Sequence, residues 1–161
     1  MKKRVLVAFI IFALLLIIFF FIPIRFNISD SLTAKYIADM ANGSSTETEI
    51  FINGTYSFYL FRSDKFEGNL EIVSFPETSD KRVEIRVADG ITDTLVYRSW
   101  DGSKLNSQVF GLLQADFKMK NLIILLNDTN GAIDLSGKNV SAILVGNKTV
   151  EDLKNVLESM K

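Results

Sequence analysis

Glu67 and Glu71 stand four positions apart with Asn69 between them, in a stretch from Phe66 to Phe75 that reads as a strand. On a strand that spacing puts both carboxylates on one face, and paired carboxylates are what acid and base hydrolysis of a glycosidase kind requires. The same residues fit a plainer role as solvated cross-strand partners of Arg82 or Arg86, which is the reading adopted here. Asp128-Thr129-Asn130-Gly131-Ala132-Ile133-Asp134 has the composition of a calcium loop without its spacing, because glycine comes fourth where an EF-hand needs it sixth. It reads as an Asx-type turn.

Aromatic residues offer a different chemistry, recognition. Tyr and Trp combine a broad apolar body with a polar tip, which suits a ligand wall or an interface anchor. Tyr56, Phe58 and Phe61 are expected in the core. Trp100 stands beside an Asp101-Gly102 turn with Arg98 near it, and the expected interaction or ligand surface is Trp100, Tyr97, Arg98 and Tyr59.

The chain has no His and no Cys. Ser-His-Asp and Cys-His catalysis, His- or thiolate-bound zinc and disulfides are therefore unavailable. It also contains no S-x-x-K, no P-loop and no G-x-G-x-x-G. The expectation is a protein that is not an enzyme, with no catalytic residue, no metal and no cofactor.

What positions these residues begins with eighteen consecutive apolar residues, Val5 to Ile22, behind Lys2, Lys3 and Arg4. As a helix such a run covers about 27 Å, close to the hydrocarbon thickness of a bilayer. The sequence thus predicts a cytoplasmic stub at 1–4, a transmembrane signal-anchor at 5–24 and a single extracytoplasmic domain at 27–161, oriented by the N-terminal cations. Cleavage as a signal peptide would need small residues after a shorter run, and Ser29-Asp30-Ser31 is a poor candidate. The partners expected are the lipid bilayer, through 5–24, and another envelope protein. Lys and Arg total 18, three of them ahead of the apolar run, which leaves 15 against 19 acidic residues and argues against nucleic acid.

In the domain, Leu32, Tyr36, Ile37 and Met40 recur at helical spacing and predict an amphipathic juxtamembrane helix over 29–42. From 49 to 145 the character is β. Asn53-Gly54 predicts a hairpin between 49–52 and 55–61, and Gly68 a bulge. Strands follow at 82–87, 94–100, 105–112, 116–126 and 139–145, with turns at Asp89-Gly90 and Asp101-Gly102. Thr149, followed by Glu151 and Asp152, predicts the N-cap of a helix over 149–161 whose stripe is Val150, Leu153, Leu157 and Met160.

The expected fold is mainly β (α+β): an antiparallel meander of seven or eight strands curved into a barrel or half-barrel, with a two-sheet β-sandwich as alternative. The order of anchor, short helix, G-T-Y-x-F strand, meander and capped helix resembles that of small anchored surface proteins of low-GC Gram-positive bacteria, a bacterial cell-envelope setting. The expected function is a membrane-anchored, extracytoplasmic protein-interaction module of accessory or regulatory type. The alternatives are a barrel binding a small apolar or peptide ligand, and a carboxylate-dependent hydrolase.

Overall fold

The computed structural model describes residues 5, 7, 9–12, 14, 22–40, 44–88, 90, 92–127 and 140–160. Eight antiparallel strands follow one another around a closed barrel, each paired with the next and the last with the first. They are β1 (Ile24–Asp39), β2 (Ser44–Phe58), β3 (Asp64–Ile72), β4 (Arg82–Val87), β5 (Thr92–Asp101), β6 (Lys104–Ala115), β7 (Leu122–Leu126) and β8 (Ala142–Val145), followed by the helix α1 (Val150–Ser159). Closure gives every strand a neighbour on both sides, and an eight-stranded barrel is just wide enough for side chains to fill. The barrel form of the expectation holds and the sandwich does not.

The helix expected over 29–42 is instead most of β1. Phe26, Ile28, Leu32, Ala34 and Tyr36 alternate toward the interior, a period of two that begins before residue 29 and is interrupted only by Asp30. Asn53-Gly54 is not a turn either. It lies inside β2, where Gly54 pairs with Gly68 of β3 in regular register. A Cβ on Gly54 would fall on the Glu67 carbonyl oxygen and the Gly68 Cα, so the pair of glycines permits a close backbone approach and Gly68 is no bulge. Register shifts occur instead between Ile37 and Asp39 and between Leu95 and Val96.

Residues 116–121, expected as the start of a strand, form a turn. The Asn121 N–H donates to Asp116 Oδ1 at 2.8 Å, and the Met119 N–H donates to the Asp116 carbonyl at 3.1 Å, closing the turn before β7 begins. The turn fills a gap, because β8 ends at Val145 opposite Ala34 and residues 24–33 of β1 run past it. Lys120 reaches Asp30 across that gap at 3.7 Å.

Aromatic clusters close both mouths. At one, Phe117 packs edge-on against Phe26, Tyr56 and Phe58. At the other, Phe75 packs edge-on against Tyr36 and Phe110, and Phe110 against Tyr97. Between them Ile50, Ile52, Phe66, Leu70, Ile85, Leu95 and Ile124 are fully buried. Buried Thr78 ties the loop after β3 to the wall, accepting from the Ile72 N–H at 2.9 Å and donating to the Phe75 carbonyl at 2.7 Å.

The outer face of β7, β8 and the end of β1 is also apolar, and α1 covers it. Ile123, Leu125, Ala142, Leu144 and Ile37 pack there against Leu153, Val156 and Leu157. The expected stripe holds at Leu153, Leu157 and, half-buried, Met160, but Val156 is buried where Val150 is exposed. Thr149 makes a full capping box, accepting from the Asp152 N–H while its own N–H donates to the Asp152 carboxylate.

Of the expected anchor, Val5, Val7, residues 9–12 and Leu14 are helical, whereas Ile24 already belongs to β1, so a helix does not reach residue 24. Among the described residues no helix is long and apolar enough to cross a membrane. Lys2, Lys3, Arg4 and much of the apolar run lie outside the described residues, as do the Asp128–Asp134 segment and Gly43.

Candidate functional site

The β5–β6 hairpin is long because Gly102, at φ 60, turns the chain tightly and ten residue pairs follow. Its neighbour β4 begins only at Arg82 and pairs with β5 only through Arg82 with Arg98 and Val83 with Tyr97. The tip of the hairpin therefore stands beyond the wall, and residues 100–109 are exposed throughout.

Its outer side carries Val96, Arg98, Trp100, Leu105 and Val109, and Trp100 pairs with Leu105 across the two strands. Trp100 is 71% exposed and Leu105 49%, a large apolar pair left in water on the barrel wall. Together with Arg25, Thr55, Ser57, Glu67, Arg82, Glu84 and Arg98 they line an open groove of about 560 Å³ on the outer wall.

The groove's charges are partly paired. Lys65 reaches Glu67 at 2.9 Å and Glu84 at 2.8 Å, and Glu84 also meets Arg98 at 3.3 Å. The hydrogen bond from Lys65 holds the Glu84 carboxyl below its ordinary range, and the two carboxylates hold the Lys65 ammonium above its own. Among the described residues Arg25 and Arg82 meet no carboxylate, so the groove offers two uncommitted guanidinium groups beside an apolar pair. Such a lining suits a segment with acidic and large apolar side chains.

Two of the residues selected from the sequence, Trp100 and Arg98, meet in this groove. Tyr97 does not. It points into the barrel, 1% exposed, and its hydroxyl donates to the Leu70 carbonyl at 2.7 Å, so it belongs to the core and not to a surface. Burial drives its phenol pKa well above the ordinary value. Tyr59 lies at the barrel rim, where the Arg62 guanidinium sits 3.8 Å from its ring centre. Tyr56 is in the core as expected, its hydroxyl donating to Asp64 at 2.6 Å, but Phe61 is 65% exposed.

Sequence reasoning missed Arg25, Arg82 and Leu105. Strand alternation already sets Tyr97 and Arg98 on opposite faces, which would have removed Tyr97. No local signal brings Arg25 of β1 to Trp100 of β5, since the register that runs through β2, β3 and β4 does so.

Glu67 and Glu71 do share the outer face of β3, but not the expected cross-strand partners: Glu67 is engaged by Lys65 of its own strand, Arg86 meets Asp93, and Arg82 meets neither glutamate among the described residues. The carboxyls whose pKa is clearly displaced, Glu84, Asp93 and Asp152, all move down. For Asp93, burial opposes the shift, and hydrogen bonds from the Arg86 N–H, the Arg86 guanidinium and the Thr94 N–H outweigh it. A general acid needs the opposite displacement. Among the described residues no three acidic groups converge as a metal site would require. Compared with known proteins, the chain matches no family model, no curated protein and no solved structure.

Proposed function

We propose that this chain is a membrane-anchored, extracytoplasmic protein-interaction module, without catalytic activity, that receives a segment of another envelope protein in the groove under the β5–β6 hairpin. The observation that carries the reading is the exposed Trp100–Leu105 pair beside Arg25 and Arg82. Anchoring is supported by the apolar run itself, with cations on its N-terminal side that set a cytoplasmic N-terminus. The helical residues Phe9 to Phe12 are apolar and exposed around a full turn, a pattern that fits lipid and not a protein core.

A ligand inside the barrel is the weaker reading. The interior is occupied by large side chains and both mouths by aromatic clusters, while cavities of about 560 and 280 Å³ lie on the outer wall. A hydrolase at Glu67 and Glu71 is weakened because Glu67 is already engaged by Lys65 at 2.9 Å.

The test is a photo-crosslinking side chain placed at Leu105 in the full chain in its native membrane, with a second placed at Glu151 on the exposed face of α1 as control. A discrete protein adduct from position 105 alone, competed by a peptide of the adduct's own sequence, is the expected result. The same adducts from both positions would overturn the reading.

A further inference from the structure

The barrel mouth at which β1 begins carries an unusual sorting of charge. Its carboxylates are turned onto internal donors: Asp64 accepts from the Tyr56 hydroxyl and the Tyr59 N–H, and Asp116 from Asn121. Two of its cations lie outside on aromatic faces, while Lys120 reaches Asp30 at 3.7 Å. Arg62 covers the Tyr59 ring, and Lys118 Nζ lies 4.2 Å from the centre of Phe26 and 5.2 Å from that of Phe117. Lys118 and Met119 both hold φ at 59°, a left-handed conformation unusual for side chains of this size. Met119 is buried beneath the turn. Around these cations Leu60, Phe61 and Phe117 are exposed, and Leu60 shares a small apolar cleft with Ile22, Ile24 and Phe58.

This is also the mouth that the apolar run joins. Only Pro23 separates Ile22, the last residue of the run, from Ile24, the first of β1, a distance of about 7 Å for extended chain. If residues 5–22 span a bilayer, the rim has no room to stand away from the headgroups. Exposed apolar tips with cations beside aromatic rings match the chemistry of an interface in which apolar groups enter the acyl boundary and cations meet anionic headgroups.

We infer that the rim formed by residues 59–63 and 116–121 is a second membrane contact, with Leu60, Phe61 and Phe117 entering the interface and Arg62 and Lys118 on anionic headgroups. The inference rests on the anchoring reading above. It gives the barrel a fixed stance on the membrane, with the β5–β6 tip directed away from the lipid.

Because the chain has no Cys, single cysteines carry a dye without background. The full chain with Leu60→Cys or, as control, Leu105→Cys is labelled with an environment-sensitive dye and reconstituted into phosphatidylcholine vesicles with and without phosphatidylglycerol. Flotation reports anchoring, and nitroxide-bearing lipid reports contact. The expected result is flotation of both proteins, quenching several-fold stronger at position 60 than at 105, and loss of most of that difference in Arg62→Glu/Lys118→Glu. Flotation with equal quenching at both positions overturns the rim contact and leaves the anchor standing. Failure to float overturns the anchor and the rim contact together. Equal quenching at position 60 with and without phosphatidylglycerol overturns the role of the cations.

Discussion

Two stretches of the outer wall are apolar, and the chain treats them differently. On β7, β8 and the end of β1, Ile123, Leu125, Leu144 and Ile37 are sealed by α1. On the β5–β6 hairpin, Trp100, Leu105 and Val109 are left in solvent. A barrel needs its interior apolar, and an outward apolar face is an additional liability that must be covered by something. The first stretch meets its cover in the chain's own C-terminal helix. The second meets none among the described residues, and the Arg25 and Arg82 guanidinium groups lie beside it.

The contrast is sharpest in stability. Leu153→Ala removes a fully buried side chain from under α1 and should destabilise the protein by about 2–5 kcal/mol, read from urea unfolding. A loss under about 0.5 kcal/mol would mean that α1 is not the seal of that wall and that the two faces are alike.

The hairpin's inner face should behave like core even though its outer face does not. Tyr97→Phe leaves the Leu70 carbonyl without its hydroxyl donor and should cost about 1–3 kcal/mol. The pH dependence follows from the same residue. Its folded pKa lies above the unfolded value of about 10, so the native state holds its proton longer, and stability present below that pH is lost as pH rises beyond it. Alkaline unfolding of Tyr97→Phe should therefore be less steep than that of the parent, as followed by circular dichroism. An unchanged slope would place Tyr97 outside the packed interior.

Thr149→Ala removes the N-cap of α1 and should cost about 0.5–2 kcal/mol in the same urea assay, a fraction of the Leu153→Ala loss. Equal losses from the two would make the helix, and not its packing, the weak point of the covered wall.

Much of this contrast was legible from the chain. The capped helix announced itself through Thr149, Asp152 and a stripe of 3.6 periodicity, and Trp100 through its place beside Asp101-Gly102. The strand total was also legible, though by compensation. Reading 29–42 as a helix lost one strand, and reading Asn53-Gly54 as a turn divided β2 into two. Both errors have one cause: helical spacing at Leu32, Tyr36 and Ile37 and a turn dipeptide at 53–54 are local signals, whereas β1 and β2 are held by a fifteen-pair register and by closure with β8. The groove was legible at Trp100 and Arg98, and Leu105 could have been read from the same Asp101-Gly102 hairpin, whereas Arg25 and Arg82 are brought to them by tertiary register.

The central claim is that the uncovered face serves recognition and not the fold. Its most direct test is Trp100→Ala in the full chain, measured twice: by unfolding, and by crosslinked capture from the native membrane. A side chain this exposed should leave stability within about 0.5 kcal/mol of the parent, while the adduct formed at position 105 disappears. A clear loss of stability with the adduct retained would contradict the account, making Trp100 a structural residue and the groove a consequence of packing.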